Sequence, residues 1–162
     1  MNERTQKKAE CNIFDLCDIV RETGFAIHKY HANGHLEKIY ENALAHRLRK
    51  AGLDVKQQYA LSVEDEDGTA LGEYFADMLV EDCLIVELKA CRSLAPEHKA
   101  QVLGYLRASN IDHGLLLNFG GSRFEVKKYI WSNAAASNRG WVRSAIALFG
   151  SVATLILKTV NM

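Results

Sequence analysis

The run Ile85-Val86-Glu87-Leu88-Lys89, ten residues beyond Asp77, constrains this chain more than any other stretch. Residues 71–80 and 83–90 are rich in aliphatic and aromatic side chains and flank the acidic break Glu81-Asp82, so both segments read as β-strands. Side chains alternate along a strand: Ile85, Glu87 and Lys89 share one face, and Leu84, Val86 and Leu88 share the other. A carboxylate and an ammonium set among aliphatic residues lower stability unless they are paired or used. The sheet this chain builds must therefore accommodate charge near its centre.

Register decides whether Asp77 joins that charge. In an antiparallel pair, directly opposed residues share a face and have a constant index sum. Asp77 reaches the Glu87/Lys89 face only if the sum is even, as with Val80 opposite Leu84 across a three-residue connection. A two-residue Glu81-Asp82 hairpin points Asp77 away unless a bulge intervenes. Two carboxylates at about 4 Å repel by about 4 kcal/mol at an effective dielectric of 20. Lys89 relieves part of this, and a hard divalent cation relieves more. Mg²⁺ or Mn²⁺ held by Asp77, Glu87 and the Leu88 carbonyl is chemically sensible, with Lys89 orienting a water and stabilising a phosphorane-like transition state. The competing reading is a cross-strand ion pair on a solvated face.

The surrounding pattern predicts a mixed sheet flanked by helices, in the order α-α-β-β-β-α-β-β with a further helix at the C-terminus. Residues 12–30 carry apolar positions at helical spacing, interrupted by Gly24, and a break follows at residues 31–34. Leu36, Ile39, Tyr40, Ala43, Leu44 and Leu48 form an amphipathic stripe, with Gly52 placed to end that helix. Val55, Gln57, Tyr59, Leu61 and Val63 alternate as one face of a strand, and the three strands from there to residue 90 make an antiparallel meander. Pro96 suits the first turn of a helix running to about Ser109. Residues 114–119 are continuously apolar, as in a strand covered on both faces, and residues 123–130 form a last strand. On the two helices, Glu37 borders the apolar stripe within reach of the sheet edge, or is an ordinary first-turn glutamate. Gln101 and Tyr105 sit at i and i+4 on one side of the helix that follows Lys89.

Other signals narrow the class. The formal net charge is zero, so any nucleic-acid surface must be a local patch drawn from residues such as Arg92, Lys99 and Arg107. Cys11, Cys17, Cys83 and Cys91 lack metal or redox spacing, which fits reduced thiols in the cytoplasm. His28, His31 and His35 hint at a transition-metal cluster, but Gly34 breaks their helical register, and surface histidines are the simpler account. The polar residues 1–10 hold no signal-peptide core. Residues 132–140 read as a linker, and residues 144–157 are charge-free yet too short to span a bilayer. That segment suits a docked helix or a homodimer contact better than a stable membrane association.

These residues fall into an ordered pattern. Gly34-His-Leu-Glu37-Lys-Ile-Tyr40 has the form GxxExxY. It is followed in order by Asp77, Glu87-Leu-Lys89-Ala90, Pro96-Glu-His98, Gln101, Tyr105-Leu106 and Gly114-Leu-Leu-Leu-Asn118-Phe119-Gly120. Over residues 12–130 the chain resembles the GxxExxY proteins, a family assigned to the PD-(D/E)XK nuclease superfamily. The resemblance implies a restriction-endonuclease-like core in which Asp77 and Glu87 are the metal ligands and Lys89 is the catalytic lysine. It also implies Glu37 as the helical acidic residue and Gln101 as the polar residue of the following helix, with Tyr40 and Tyr105 in support. Ala76 stands where the superfamily often carries proline. The expected organisation is a flexible segment 1–11, a nuclease-like domain 12–131, and a linker with an apolar extension over 132–162. The expected activity is metal-dependent hydrolysis of DNA or RNA, DNA foremost. The alternative is a non-catalytic nucleic-acid- or protein-binding module that keeps the fold.

Overall fold

The computed structural model describes residues 12–132. The segment 1–11 and most of the expected linker and apolar extension lie outside the described residues.

The chain opens with helix α1 (Ile13–His31), whose first turn is capped by the Asn12 side chain accepting from the Phe14 N–H at 3.1 Å. Leu16, Cys17, Val20 and Ile27 form its buried stripe. The expected interruption at Gly24 is absent, and the helix runs straight through. Gly24 serves close packing instead: a Cβ there would collide with the Phe124 ring. Helix α2 (Glu37–Lys50) ends at Gly52, whose φ of +90° is the left-handed geometry glycine accepts freely.

Strands β1 (Val55–Glu64) and β2 (Ala70–Val80) form a long antiparallel hairpin. Strand β3 (Leu84–Lys89) pairs antiparallel with β2, and helix α3 (Pro96–Ser109) crosses over to β4 (His113–Asn118), which lies parallel to β3. Strand β5 (Glu125–Ile130) closes the sheet antiparallel to β4, giving the order β1-β2-β3-β4-β5. Pro96 occupies the first turn of α3, where its missing N–H is harmless. Helices α1 and α2 cover one face of the sheet through Leu16, Val20, Leu44 and Leu48 against Val86, Leu88 and Leu117. Helix α3 covers the other through Val102, Tyr105 and Leu106 against Leu79, Ile85 and Leu116. β4 is accordingly buried almost throughout.

One departure from simple alternation matters for the site. Val55, Tyr59 and Leu61 read as one face, yet Val55 packs under α1 and α2 while Tyr59 and Leu61 pack on the α3 side. In β2, Met78 and Ala76 divide the same way. The switch coincides with Gln58, which has a left-handed φ of +50° between the pairs Gln57–Met78 and Tyr59–Ala76, opposite Asp77. A non-glycine residue in that region carries strain that the surrounding structure must hold. Among the described residues, no helix is long and apolar enough to cross a membrane.

Candidate active site

The connection between β2 and β3 contains three residues, with Val80 facing Leu84 and Met78 facing Val86. This is the even register, so Asp77 falls opposite Glu87. Ladder pairing stops at Met78–Val86, and side chains take over where it ends. The Asp77 Oδ2 accepts from the Leu88 N–H at 2.8 Å, in place of a strand carbonyl. The Asp77 N–H points to the Glu87 Oε2 at 3.5 Å, too long for a strong bond. The two carboxylates thus meet where the strands part.

The solvated ion-pair reading fails on burial. Glu87 is 2% exposed, and Lys89, the partner of its Oε1 at 2.7 Å, is itself largely buried. Burial pushes the Glu87 carboxyl up to about 7, and the Asp77 charge adds to it, against the hydrogen bond from Lys89. Burial also raises Asp77; the Leu88 N–H and Lys89 oppose this, while Glu37 and Glu41 reinforce it. Burial disfavours the Lys89 charge, but its hydrogen bond to Glu87 and the charges of Glu87, Glu37 and Asp77 outweigh that and raise its pKa. One lysine therefore serves the buried Glu87 and the half-buried Asp77, with Glu37 as a third acid acting on it.

Glu37 does reach the sheet: its Oε2 accepts from the Ala90 N–H at 3.2 Å, one residue past Lys89. Two other residues of the same sequence pattern fix this junction. Gly34 adopts a φ of +112° in the α1–α2 turn. The buried Tyr40 hydroxyl donates to the Ala32 carbonyl at 2.7 Å and accepts from the His35 N–H at 3.2 Å. The Tyr40 ring stacks on Phe119 at 4.7 Å. The end of β3 is also tied from β4. The buried Asn118 Oδ1 accepts from the Cys91 and Gly120 N–H groups, each at 3.1 Å. A Cβ on Gly120 would strike the backbone of Ala90 and Cys91. These contacts hold Lys89 from both sides.

Gln101 lies on α3 as expected, but its amide donates to the Tyr105 hydroxyl at 2.6 Å rather than to Lys89. Burial raises the pKa of the Tyr105 hydroxyl and the Glu87 and Asp77 charges add to this, against the Gln101 hydrogen bond and Lys89. His28 bonds the Gly121 carbonyl at 3.0 Å, while His31 and His35 stack edge to face, with no metal-binding arrangement of three.

Sequence reasoning missed Glu41 as a site neighbour. It is 3% exposed and accepts from Lys38 at 2.7 Å, Gln57 at 2.8 Å and Gln58 at 3.1 Å. Its position one turn after Glu37 on an otherwise apolar stripe was the available signal. The two glutamines cannot be assigned to it without the tertiary fold.

Among the described residues, no three His, Cys, Asp or Glu side chains are gathered closely enough to hold a metal by themselves. Asp77 and Glu87 form a set of two carboxylates with only Lys89 to offset their charge. That set suits Mg²⁺, which keeps several waters and takes one or two carboxylates. It does not suit zinc, which wants four tight ligands.

No curated protein matches the chain. Among solved structures, the crystal structure of SSO0001 is 20% identical, with a TM-score of 0.47, over 70% of this chain and 59% of its own. This chain thus spans about three fifths of that protein's length. An alkaline exonuclease (LHK-Exo) from Laribacter hongkongensis is 12% identical, with a TM-score of 0.45, over 94% of this chain and 86% of its own. The family model of the PD-(D/E)XK nuclease superfamily matches residues 14–129, which contain the whole sheet core and every candidate site residue. The mixed five-stranded sheet between helices is the restriction-endonuclease-like fold of that group, and the chain belongs to the PD-(D/E)XK nuclease superfamily.

Proposed function

We propose that the protein is a divalent-metal-dependent nuclease that hydrolyses phosphodiester bonds, with Asp77, Glu87 and the Leu88 carbonyl as metal ligands and Lys89 as the catalytic lysine. The observation that carries this is the meeting of Asp77 with the buried Glu87 where β2 and β3 part, with Lys89 hydrogen-bonded to Glu87. A cation held there would act as a Lewis acid toward the phosphate and make bound water more acidic.

The chain's own residues have distinct tasks in this reading. Lys89 keeps its proton through Glu87, orients the attacking water and offers positive charge to the oxygen on which negative charge builds. Glu37 positions the end of β3 by holding the Ala90 N–H, with Tyr40 securing the turn that presents Glu37. Gln101 fixes Tyr105 beside the carboxylates. Membership of the GxxExxY group, Mg²⁺ or Mn²⁺ as the ion, DNA as the main substrate and a cytoplasmic setting belong to the same proposal. So does a division into a nuclease domain over 12–131 with flanking segments, the last of which serves a homodimer.

The test is cleavage of single-stranded, duplex and branched DNA, and of RNA, with Mg²⁺ or Mn²⁺. Wild type cuts at least one of these, and Glu87→Ala and Lys89→Ala cut none measurably. A wild type inert on every substrate, with a melting temperature indifferent to metal, leaves a binding module instead.

A further inference from the structure

Residues of β2 and α3 line an open cleft of about 370 Å³, among them Tyr74, Glu97, Gln101, Gly104, Tyr105 and Arg107. This is near the lower end of small-molecule sites, which run from about 300 to 1,000 Å³. Its walls combine two aromatic rings and an amide with one acidic and one basic side chain. The Tyr74 and Tyr105 rings lie 5.6 Å apart and tilted, and Tyr74 remains 46% exposed. Tyr105 lines this cleft and also packs in one cluster with Ala76, next to Asp77, and Ile85, on the strand face of Glu87, so the two sites adjoin.

Gly104 supplies an independent observation. It sits inside α3, where glycine weakens a helix relative to alanine. Packing does not demand it: among the described residues, apart from its own stretch of helix, no heavy atom lies within 4 Å of where its Cβ would stand. The missing side chain leaves open space where Gly104 lines the cleft. Glu97 and Arg107 both line the cleft, so its charge is balanced, and Glu97 can accept a hydrogen bond from a base amine.

Resting on the nuclease reading, we infer that this cleft takes one unstacked nucleobase adjoining the scissile phosphate, so that the substrate is a single strand or a frayed end. A base inside a duplex has both faces covered and cannot enter a cleft of this size. An unpaired base presents a π-face to Tyr74 irrespective of its identity, and such stacking is sequence-tolerant. Gln101 and Glu97 supply the polar contacts at its edge.

Fluorescence anisotropy in EDTA, where no strand is cut, tests this with labelled 15-nucleotide single strands of DNA and of RNA and with a blunt DNA duplex. Wild type binds at least one single strand more tightly than the duplex, and the two single-strand arms tell DNA from RNA. Tyr74→Ala weakens that binding about tenfold, and Tyr74→Trp binds at least as tightly as wild type. Gly104→Leu fills the cleft and weakens binding similarly. Gly104→Ala, which favours the helix, guards against a folding defect and gives a smaller loss. Equal binding by wild type, Tyr74→Ala and Gly104→Leu overturns the cleft, as does wild-type preference for the duplex. Cleavage by wild type with Mg²⁺ or Mn²⁺ is scored separately. A protein that cuts but ignores these substitutions fails the cleft alone, and one that shows the binding pattern but never cuts fails the nuclease reading alone.

Discussion

Two buried glutamates, Glu41 on α2 and Glu87 on β3, are treated in opposite ways by this fold. Glu41 receives three donors, from Lys38, Gln57 and Gln58, and is matched where it stands. Glu87 receives Lys89 and little else, with the Asp77 carboxylate at its side. The first is a structural carboxylate, buried because its hydrogen bonds are complete. The second is held in a charge-deficient state that no fold needs for its own sake, and its carboxyl rises to about 7. The difference teaches that burial alone does not mark a functional acid. Incomplete compensation does.

The contrast can be broken most sharply by activity. Lys89→Ala or Glu87→Ala should lower cleavage by about 10²–10³-fold or more, measured as initial rates on the preferred strand. Glu41→Gln should lower it only as far as it lowers the folded fraction. Comparable losses from all three at equal folded fraction would erase the distinction.

The next effect is on stability against pH. The folded-state pKa of Glu87 is raised above its unfolded value of 4.5, so the folded protein binds that proton more tightly than the unfolded chain. By linkage, this group's contribution is most favourable below pH 4.5 and is lost as pH rises through about 7, by at most about 3 kcal/mol. Urea unfolding in EDTA at pH 5 and pH 8 should show this fall, and Glu87→Gln should flatten it. An identical pH slope in the variant would contradict the assignment.

A smaller effect has opposite signs at the two glutamates. At pH 8 without metal, Glu87→Gln relieves repulsion and should raise the melting temperature. Glu41→Gln keeps one accepting oxygen but turns an NH₂ toward the other amide, so it strands one of Gln57 and Gln58 and should lower it, by an amount corresponding to about 1–3 kcal/mol. Tyr40→Phe is milder. It deletes the bonds to Ala32 and His35 while keeping the stack on Phe119, and should cost about 1 kcal/mol.

Much of this was legible in the sequence because it depends on local rules. Parity along β2 and β3 required a three-residue connection for Asp77 to meet Glu87, and Val80 does face Leu84. Gly52 and Pro96 punctuate helices for reasons internal to the backbone. Gly24 misled, because its conformational freedom suggests a break, whereas the helix uses its lack of a side chain to admit Phe124. The face switch in β1 was illegible: nothing in Gln57-Gln58-Tyr59 announces a left-handed φ at Gln58, which is imposed by what the two halves of the hairpin pack against. The satisfaction of Glu41 was equally hidden, since its amide donors come from another element. Gln101 was placed on the right side of α3, yet its partner is Tyr105 four residues on, an intrahelical contact as available as any to the sheet.

Metal binding tests the central claim most directly. Titrating Mn²⁺ into the full chain at pH 7.5 by calorimetry should give saturable binding in wild type and in Glu41→Gln, and none in the Asp77→Asn/Glu87→Gln double variant. Wild type that binds no Mn²⁺, or a double variant that binds it as wild type does, would contradict the account.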